Sequence, residues 1–166
     1  EIGWGELRSL TERIAGGLRA LGVGEGDRVV AYLPNIAEAM AAFLATASLG
    51  AIWSSCSPDF GARSVVDRFA QIEPKVLLAV DGYRYGGRDF DKLAVLAELE
   101  AAMPTLEHVV VLPYLDAEAQ IGALRSARRW DAFLDAGDGE PLGFRRVPFA
   151  HPLWVLGRGA EAVSWA

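Results

Sequence analysis

Cysteine and histidine are scarce in this 166-residue chain, which has one cysteine, Cys56, and two histidines, His108 and His151. A single cysteine excludes an intramolecular disulfide, so nothing indicates an oxidising compartment and we expect a cytoplasmic protein. Neither histidine has a carboxylate or cysteine partner at ligand or triad spacing, so no metal site is predicted and both are expected to be structural. Cys56 is expected to be a small core residue rather than a nucleophile.

Basic charge is also sparse, because 16 Lys and Arg against 22 Asp and Glu give a net charge of −6. Nucleic-acid binding needs clustered cations that neutralise phosphates, so we expect no nucleic-acid partner. The densest basic spots, Arg128-Arg129 and Arg145-Arg146, are interpreted as solvated helix ends or loops. Long hydrophobic runs are missing too, since the stretch 36–53 is interrupted by polar residues, and no membrane span is predicted.

What the sequence does have is an alternation of helical and strand periods along its first 112 residues. Six apolar residues at spacings of three and four predict a helix that Gly22 ends: Trp4, Leu7, Leu10, Ile14, Leu18 and Leu21. Short apolar runs predict strands at 28–33, 51–56, 75–80 and 108–112. Helices are predicted between them at 36–49, around 65–72, and from the end of a loop at Arg88 through Ala102. The alternation predicts a doubly wound α/β fold with a mostly parallel sheet.

The pattern weakens after Pro113. Residues 114–127 have helical propensity without a clear apolar stripe, and Trp130, Phe133 and Leu134 predict a short helix. A loop is predicted at 135–148, and a fifth strand at 153–156. We expect the five tryptophans to pack in the core.

Three glycines at alternate positions, Gly22, Gly24 and Gly26, superficially match a dinucleotide-binding fingerprint. That fingerprint must follow a strand and open a helix, so that a pyrophosphate meets the helix amino terminus. Here the glycines follow a helix and precede a strand, so we interpret them as a helix end and a turn.

Polar residues follow two of the predicted strands, at the edge where open α/β sheets bind ligands. The loop from Asp81 to Arg88 combines flexible glycines with two arginines and two tyrosines, which suit a phosphate or a stacked adenine. A surface loop with solvated arginines fits the composition equally well. Ser54 and Ser55, at the end of the second predicted strand, either line the same crevice or satisfy backbone groups in the turn.

Several segments resemble known sequences more specifically than these patterns do. Three segments resemble the amino-terminal part of adenylate-forming enzymes in general: Trp4-Gly-Glu-Leu7, Gly22-Val-Gly-Glu-Gly-Asp-Arg-Val29 and Ala31-Tyr-Leu-Pro-Asn35. Three others resemble the acetoacetyl-CoA synthetase family in particular: Ala45 to Gly61, Asp67-Arg-Phe-Ala-Gln-Ile-Glu-Pro74 and Asp81-Gly-Tyr-Arg-Tyr-Gly-Gly87. The resemblance runs from about Trp4 to Leu156. It implies that residues 1–156 are part of the large amino-terminal domain of an AMP-dependent ligase.

The resemblance also implies a reaction and its substrates. In that family acetoacetate attacks the α-phosphate of ATP, with magnesium assisting, and CoA then displaces AMP from the acyl-adenylate. The positions that resemble the family's CoA side are Ser54, Ser55, Arg84 and Arg88, and we expect both arginines to face the phosphates of the CoA nucleotide. No catalytic residue is assigned in this segment.

The resemblance ends abruptly after Leu156. The family continues there into a Tyr-Ser-Ser-Gly-Thr-Thr-Gly-x-Pro-Lys loop that cradles the ATP phosphates, whereas residues 157–166 hold one hydroxyl and an added carboxylate. We expect 157–166 to be a divergent tail, produced for example by a frameshift at Gly157, and the sequence to begin inside a longer reading frame. The adenine, ribose and magnesium motifs and the carboxy-terminal lid would lie beyond it.

Two functional hypotheses follow from this departure. The first is a ligase segment that does not catalyse adenylation by itself. The second is a free-standing α/β module that binds a nucleotide or CoA, or docks on a partner. An unpaired, exposed strand at Leu153 to Leu156 and a tendency to aggregate would favour the first hypothesis, because a true module would have covered that strand.

Overall fold

The computed structural model describes residues 2–137, in which helices and strands alternate as the periodicity predicts. The helices are α1 (Trp4–Ala20), α2 (Ala37–Ser48), α3 (Ala62–Phe69, followed by a 3₁₀ turn at Ala70–Ile72), α4 (Leu93–Ala102) and α5 (Trp130–Asp135). The strands are β1 (Arg28–Tyr32), β2 (Ile52–Cys56), β3 (Val76–Val80), β4 (Gly82–Tyr85), β5 (Arg88–Asp91), β6 (His108–Leu112) and β7 (Ala127–Arg129).

Five of the strands form one parallel sheet in the order β2-β1-β3-β6-β7. The predicted α/β fold with a parallel sheet is therefore confirmed. β3, at the centre, is buried along its whole length, and its Val-Leu-Leu-Ala-Val sequence is apolar on both faces because helices cover both. β2 and β7 are the edges of this sheet.

Two apolar cores lie on opposite faces of the sheet. One core joins α1, α2 and α5 to side chains such as Val29, Ala31 and Leu78, and the other joins α3 and α4 to Val30, Tyr32 and Leu77. Successive strand residues point to opposite faces, so β1, β2, β3 and β6 each contribute to both cores. No helix within residues 2–137 combines the length and the apolar character needed to cross a membrane.

The glycines after α1 end that helix, as interpreted from their order. Gly22 has a φ of 73°, and the Val23 amide donates to the Leu18 carbonyl at 3.0 Å while the Gly22 amide donates to Arg19 at 2.8 Å. This is the pairing of a Schellman motif, which requires a left-handed residue. The prediction of a turn rather than a nucleotide fingerprint is confirmed.

Residues 114–127, which have helical propensity without a clear apolar stripe, do not form a helix between β6 and α5. The end of this segment forms β7, so the pair Arg128-Arg129 lies in an edge strand, and Arg129 is also the N-cap residue of α5. Glu100 explains the difference, because this buried carboxylate accepts hydrogen bonds from the Arg125 amide, the Ser126 amide and the Ser126 hydroxyl at 2.6–2.8 Å. A tertiary partner thus overrides local propensity.

Trp4 departs from the prediction that the tryptophans pack in the core, since it is 88% exposed at the first turn of α1. Trp130 is buried, and Trp53 is partly buried against α2. The apolar spacing predicted α1 correctly, but only the later turns of this helix are buried against the rest of the fold. The predictions for 153–156, for His151 and Arg145-Arg146, and for the tail 157–166 lie outside the described residues, as does most of the loop at 135–148.

The Glu100 contacts predict a stability that depends on pH. Burial acts to raise the pKa of this carboxyl, but the hydrogen bonds from Ser126 and Arg125 outweigh it and the pKa is lowered below 4.5. A lowered folded-state pKa stabilises the fold above the unfolded value, and that stability is lost as the pH falls through the folded pKa. We expect Glu100→Gln to lower the unfolding free energy by about 2 kcal/mol at neutral pH.

Urea unfolding at about pH 7 and about pH 4 measures this effect. The gap between wild type and Glu100→Gln should narrow at the lower pH, while Glu98→Gln, an exposed change in the same helix, should be neutral at both. An equal gap at both values would show that the charge of Glu100 is not what stabilises the segment.

Candidate ligand site at the carboxyl edge of the sheet

The carboxyl ends of β1, β2, β3 and β6 meet at one edge of the sheet because all four strands are parallel. Between the ends of β1 and β2 lies a shallow concavity of about 220 Å³. Its lining comes from the two strand ends and the start of α2: Ala31, Leu33, Pro34, Asn35, Ala39, Ser55, Cys56 and Ser57. This is the edge at which parallel α/β sheets hold ligands.

Ser54 and Ser55 lie at this edge but point to opposite faces of β2. Ser54 shares its face with Cys56, which packs in the core under α3 and α4, whereas Ser55 is exposed and lines the concavity. Within the described part of the chain neither hydroxyl makes a side-chain hydrogen bond. Of these two serines, only Ser55 lines the concavity, together with Ser57 from the following loop.

Tyr32, at the end of β1, fixes the loop that follows β2. Its buried hydroxyl lies 2.8 Å from the Pro58 carbonyl oxygen and 2.5 Å from the Phe60 carbonyl oxygen, so one O–H donor serves both. Burial, and secondarily the nearby Tyr83 phenol, raises the pKa of Tyr32 to about 12, so the hydroxyl stays a donor at neutral pH. The sequence analysis did not predict this role for Tyr32, because a tyrosine in an apolar strand is usually interpreted as a core-packing residue.

The segment from Asp81 to Arg88, predicted as a loop, instead contains the first strand and the turn of an antiparallel hairpin, β4 and β5. Gly86 and Gly87 have φ values of 58° and 75° and form its two-residue turn. Such primed turns need left-handed residues and match the twist of the flanking strands. The signal that would have found the hairpin is this glycine pair between Tyr83-Arg-Tyr85 and Arg88-Asp-Phe90.

Arg84 and Arg88 lie on opposite faces of the hairpin, because Arg84 pairs across it with Asp89 and Arg88 pairs with Tyr85. The Arg84 guanidinium holds both carboxylate oxygens of Asp89, at 2.5 and 2.9 Å. This bidentate bond raises the pKa of Arg84 and lowers that of Asp89. Arg88 is exposed and has no ion pair within residues 2–137. The two arginines are thus not equivalent.

Aromatic side chains share the face of the hairpin that carries Arg88. Tyr83 and Phe90 stack with their ring centroids 5.0 Å apart, and the Lys92 ammonium lies 5.4 Å from the Tyr83 ring centroid. Tyr85, beside Arg88, is 76% exposed. We call this surface, formed by Tyr83, Tyr85, Arg88 and Phe90, the Arg88 face. The exposed aromatic rings could stack against a nucleotide base, and the neighbouring cations could bind its phosphate groups.

Asp81 anchors the hairpin at its base. Its carboxylate, 2% exposed, accepts hydrogen bonds from the amides of Tyr114, Leu115 and Asp116 at 2.7–2.8 Å. The loop after β6 is thereby tied to the end of β3. Gly82, the next residue, has no room for a side chain, because a Cβ there would lie 2.6 Å from the Phe90 carbonyl oxygen across the hairpin. The hairpin leaves the sheet in one fixed direction.

Two other residues considered from the sequence have pKa values that are shifted mainly by burial. Burial lowers the pKa of His108, with a further contribution from the Arg128 charge. Burial raises the pKa of the Cys56 thiol, which favours the unreactive protonated form of this core residue. Across the described residues no group of three His, Cys, Asp or Glu side chains is placed to hold a metal ion.

A doubly wound parallel sheet with polar groups and cations at its carboxyl edge is typical of α/β proteins that bind ligands at that edge. Comparison with known families makes this specific, because the family model described as AMP-binding enzyme matches residues 1–141. The chain belongs to the AMP-binding enzyme family. The resemblance found in its motifs is confirmed.

Individual relatives agree with this assignment. The chain is 45% identical over 156 residues to an acetoacetyl-coenzyme A synthetase of Rhizobium meliloti, across 92% of this chain and 23% of that protein. It is 42% identical to the acetoacetyl-CoA synthetase of Rattus norvegicus, across 91% and 23%. A malonamoyl-CoA synthetase of Penicillium aethiopicum is 38% identical, across 93% and 22%. The chain thus spans about a quarter of the length of these relatives.

A solved structure gives the same result for the fold. Acetoacetyl-CoA synthetase from Streptomyces lividans superposes with a TM-score of 0.76 at 50% identity, over 85% of this chain and 21% of that one. The mostly parallel sheet of this chain is therefore similar to part of a larger synthetase.

Proposed function

We propose that this sequence is the amino-terminal portion of an AMP-forming acid:CoA ligase that acts on acetoacetate or a related short acid. The complete reaction would consume ATP and CoA and release AMP and diphosphate. The observation that carries this proposal is the 45–50% identity to acetoacetyl-CoA synthetases across nearly the whole chain. The malonamoyl-CoA synthetase at 38% identity supports a short acid as substrate but leaves its identity open to other parts of the enzyme.

In this proposal the carboxyl edge of the sheet serves the CoA nucleotide. The Arg88 face offers a guanidinium without an ion-pair partner and exposed rings, a donor set that fits an adenine and its phosphates. Ser55 would add a hydroxyl from the concavity at the end of β2. Arg84 contributes less, because Asp89 already neutralises it. Magnesium would travel with ATP, and we assign no residue in 2–137 to it.

We further propose that the 166-residue chain alone does not form an acyl-adenylate. Residues 157–166 offer a triphosphate one hydroxyl and a carboxylate where the resembling family has a loop of hydroxyls and glycines. The alternative function, a free-standing module that binds CoA or another nucleotide, is favoured by the fact that the Arg88 face lies wholly within this chain. The ligase segment predicts CoA binding, whereas the module predicts binding of CoA or another nucleotide without the rest of a ligase.

Titration calorimetry of the purified, folded chain tests the site, with CoA and ATP-magnesium as separate ligands. We expect CoA to bind, and Arg88→Ala to weaken its binding about tenfold because one charge-assisted hydrogen bond to a phosphate is lost. ATP-magnesium is expected to give no heat of binding. CoA binding that is unchanged in Arg88→Ala would remove the Arg88 face from the site.

The double variant Arg84→Ala/Asp89→Ala is the matched control, because it removes a guanidinium from the same hairpin without changing the net charge. We expect it to weaken CoA binding less than threefold, since this ion pair is exposed and already neutral as a unit. A larger loss than that of Arg88→Ala would show that the opposite face of the hairpin binds the ligand.

A further inference from the structure

None of the described residues that line the concavity between the ends of β1 and β2 carries a charge. Most of the lining is aliphatic, and its polar groups are the hydroxyls of Ser55 and Ser57 and the carboxamide of Asn35. A neutral lining of this kind suits amide and methylene groups and offers no ion pair to a phosphate. Its volume of about 220 Å³ lies below the roughly 300 Å³ at which pockets begin to enclose a drug-sized ligand. The concavity therefore fits a thin neutral chain better than a nucleotide.

The two serines of this lining are held in different ways. Ser55 lies in β2, where pairing with Ala31 of β1 fixes its backbone. Ser57 lies beyond the strand, in a turn that the Phe60 amide closes by donating to the Ser57 carbonyl at 3.2 Å. Within residues 2–137 no strand pairs with this turn. The position of the Ser57 hydroxyl thus depends on the group that fixes the turn from outside.

Tyr32 is that group, and it reaches the turn from the neighbouring strand. Its hydroxyl lies 2.8 Å from the carbonyl oxygen of Pro58, the residue after Ser57, and 2.5 Å from that of Phe60, where the turn ends. The Tyr32 side chain is fully buried, and Pro58 is buried too. A buried carbonyl that loses its donor is costly, so without this hydroxyl the turn would shift until water reached both oxygens. Ser57 would move with the turn.

We propose that Tyr32 is a positioning residue of the CoA site, which holds Ser57 beside Ser55 so that the concavity binds the neutral pantetheine arm of CoA. This inference rests on the proposed function and divides the ligand, because the Arg88 face takes the base and the phosphates. Both surfaces lie at the same edge, where the Tyr83 phenol is close enough to help raise the pKa of Tyr32. The amides of the arm match the hydroxyls and the carboxamide of the lining, and its methylene groups match the aliphatic part.

Titration calorimetry of the 166-residue chain with two ligands tests this division. One ligand is CoA, and the other is adenosine bisphosphate, the nucleotide of CoA without its arm. We expect the wild type to bind CoA at least about tenfold more tightly, because only CoA fills the concavity. Tyr32→Phe should weaken CoA binding about fivefold, since a hydrogen bond to the arm is lost, and leave adenosine bisphosphate binding unchanged. A purely structural effect of the substitution would not distinguish the two ligands.

Ser57→Ala tests the same inference without touching the buried phenol, and it decides the question if Tyr32→Phe does not fold. It should weaken CoA binding by a similar factor and leave adenosine bisphosphate binding unchanged. In the double variant Tyr32→Phe/Ser57→Ala the loss should be no larger than that of either single variant, because Tyr32 acts through Ser57. Additive losses, or a Ser57→Ala chain that binds CoA like the wild type, would overturn the positioning role.

Tyr114→Phe is the matched control, since it removes a hydroxyl from a residue that is 49% exposed, and it should change neither affinity. Equal wild-type affinities for the two ligands, or an equal effect of Tyr32→Phe on both, would overturn the inference. Arg88→Ala separates this failure from that of the Arg88 face, because it should weaken both ligands about tenfold. If it changes neither while Tyr32→Phe weakens CoA alone, the concavity stays in the site and the Arg88 face does not. A wild type that binds neither ligand overturns both.

Discussion

Asp81→Ala is expected to lower the free energy of unfolding by about 3 kcal/mol. The substitution removes a buried acceptor from three backbone amides, those of Tyr114, Leu115 and Asp116. Hydrogen bonds to a charged group each contribute about 1.5–3 kcal/mol, and part of that loss is recovered because water reaches this loop. The loop after β6 and the base of the hairpin would then separate.

Urea unfolding followed by circular dichroism measures this change. Asp81→Asn should cost about half as much, because the Asp81 Oδ1 acceptor for two of the amides remains while an amide group replaces the acceptor of the third. Asp67→Ala, an exposed change on α3, should stay within about 0.5 kcal/mol of wild type. A loss in Asp81→Ala no larger than that of Asp67→Ala would mean that the three bonds do not hold the loop.

The order and direction of the main elements could be predicted because this part of the fold is dictated locally. The Val-Leu-Leu-Ala-Val run of β3 is apolar on both faces because helices cover both faces of the sheet. An uninterrupted apolar run of this kind can be recognised in the sequence as a buried strand. The glycine-rich turn after α1 could also be predicted from the sequence. Its glycines follow a helix and precede a strand, which is the reverse of the order that a dinucleotide-binding fingerprint requires. Periodicity decides these cases without knowledge of distant contacts.

The segments whose structure the sequence did not predict depend largely on distant partners. Residues 114–127 have helical propensity, yet Glu100 and Asp81 capture their amides from α4 and from the end of β3. Both acceptors lie far away in the sequence, so no local pattern shows them. The hairpin was missed for another reason, because four-residue strands around Gly86-Gly87 also read as a flexible loop.

The candidate site, too, could be predicted from the sequence only in part. Its location at the ends of β2 and β3 follows from the rule for parallel sheets, and both predicted segments lie at that edge. The face to which each side chain points depends on register, which the sequence did not reveal. The structure places Ser55 and Ser54 on opposite faces of β2, and Arg88 and Arg84 on opposite faces of the hairpin. A role for these residues in CoA binding stays a prediction, and the geometry favours Ser55 and Arg88 over the other two.

The edge is rigid where it meets the sheet and open at its tip. Tyr32 holds the loop after β2, and Asp81 holds the base of the hairpin, each through backbone contacts that are buried or partly buried. Beyond these anchors, Tyr85 and Arg88 extend into solvent. A ligand would therefore meet exposed side chains on a hairpin whose base is held by hydrogen bonds, and such preorganisation limits the entropy lost on binding.

Gly17→Ala is expected to destabilise the chain by about 3 kcal/mol, although alanine is the better helix former. A Cβ at Gly17 would lie 2.6 Å from both a ring carbon and the carbonyl oxygen of Phe133, so α5 must move away from α1. Phe133 is fully buried, and overpacking a core of this kind costs about 1–3 kcal/mol or more. The clash with backbone cannot be relieved by a rotamer.

Gly5→Ala is the matched control in the same helix, because nothing lies within 4 Å of a Cβ built there. It should be neutral or stabilising by up to about 1 kcal/mol, the helix propensity difference between the two residues. The double variant Gly17→Ala/Phe133→Leu should recover little stability, since the carbonyl clash remains. Equal unfolding free energies for Gly17→Ala and Gly5→Ala would show that the contact between α1 and α5 is not close packed.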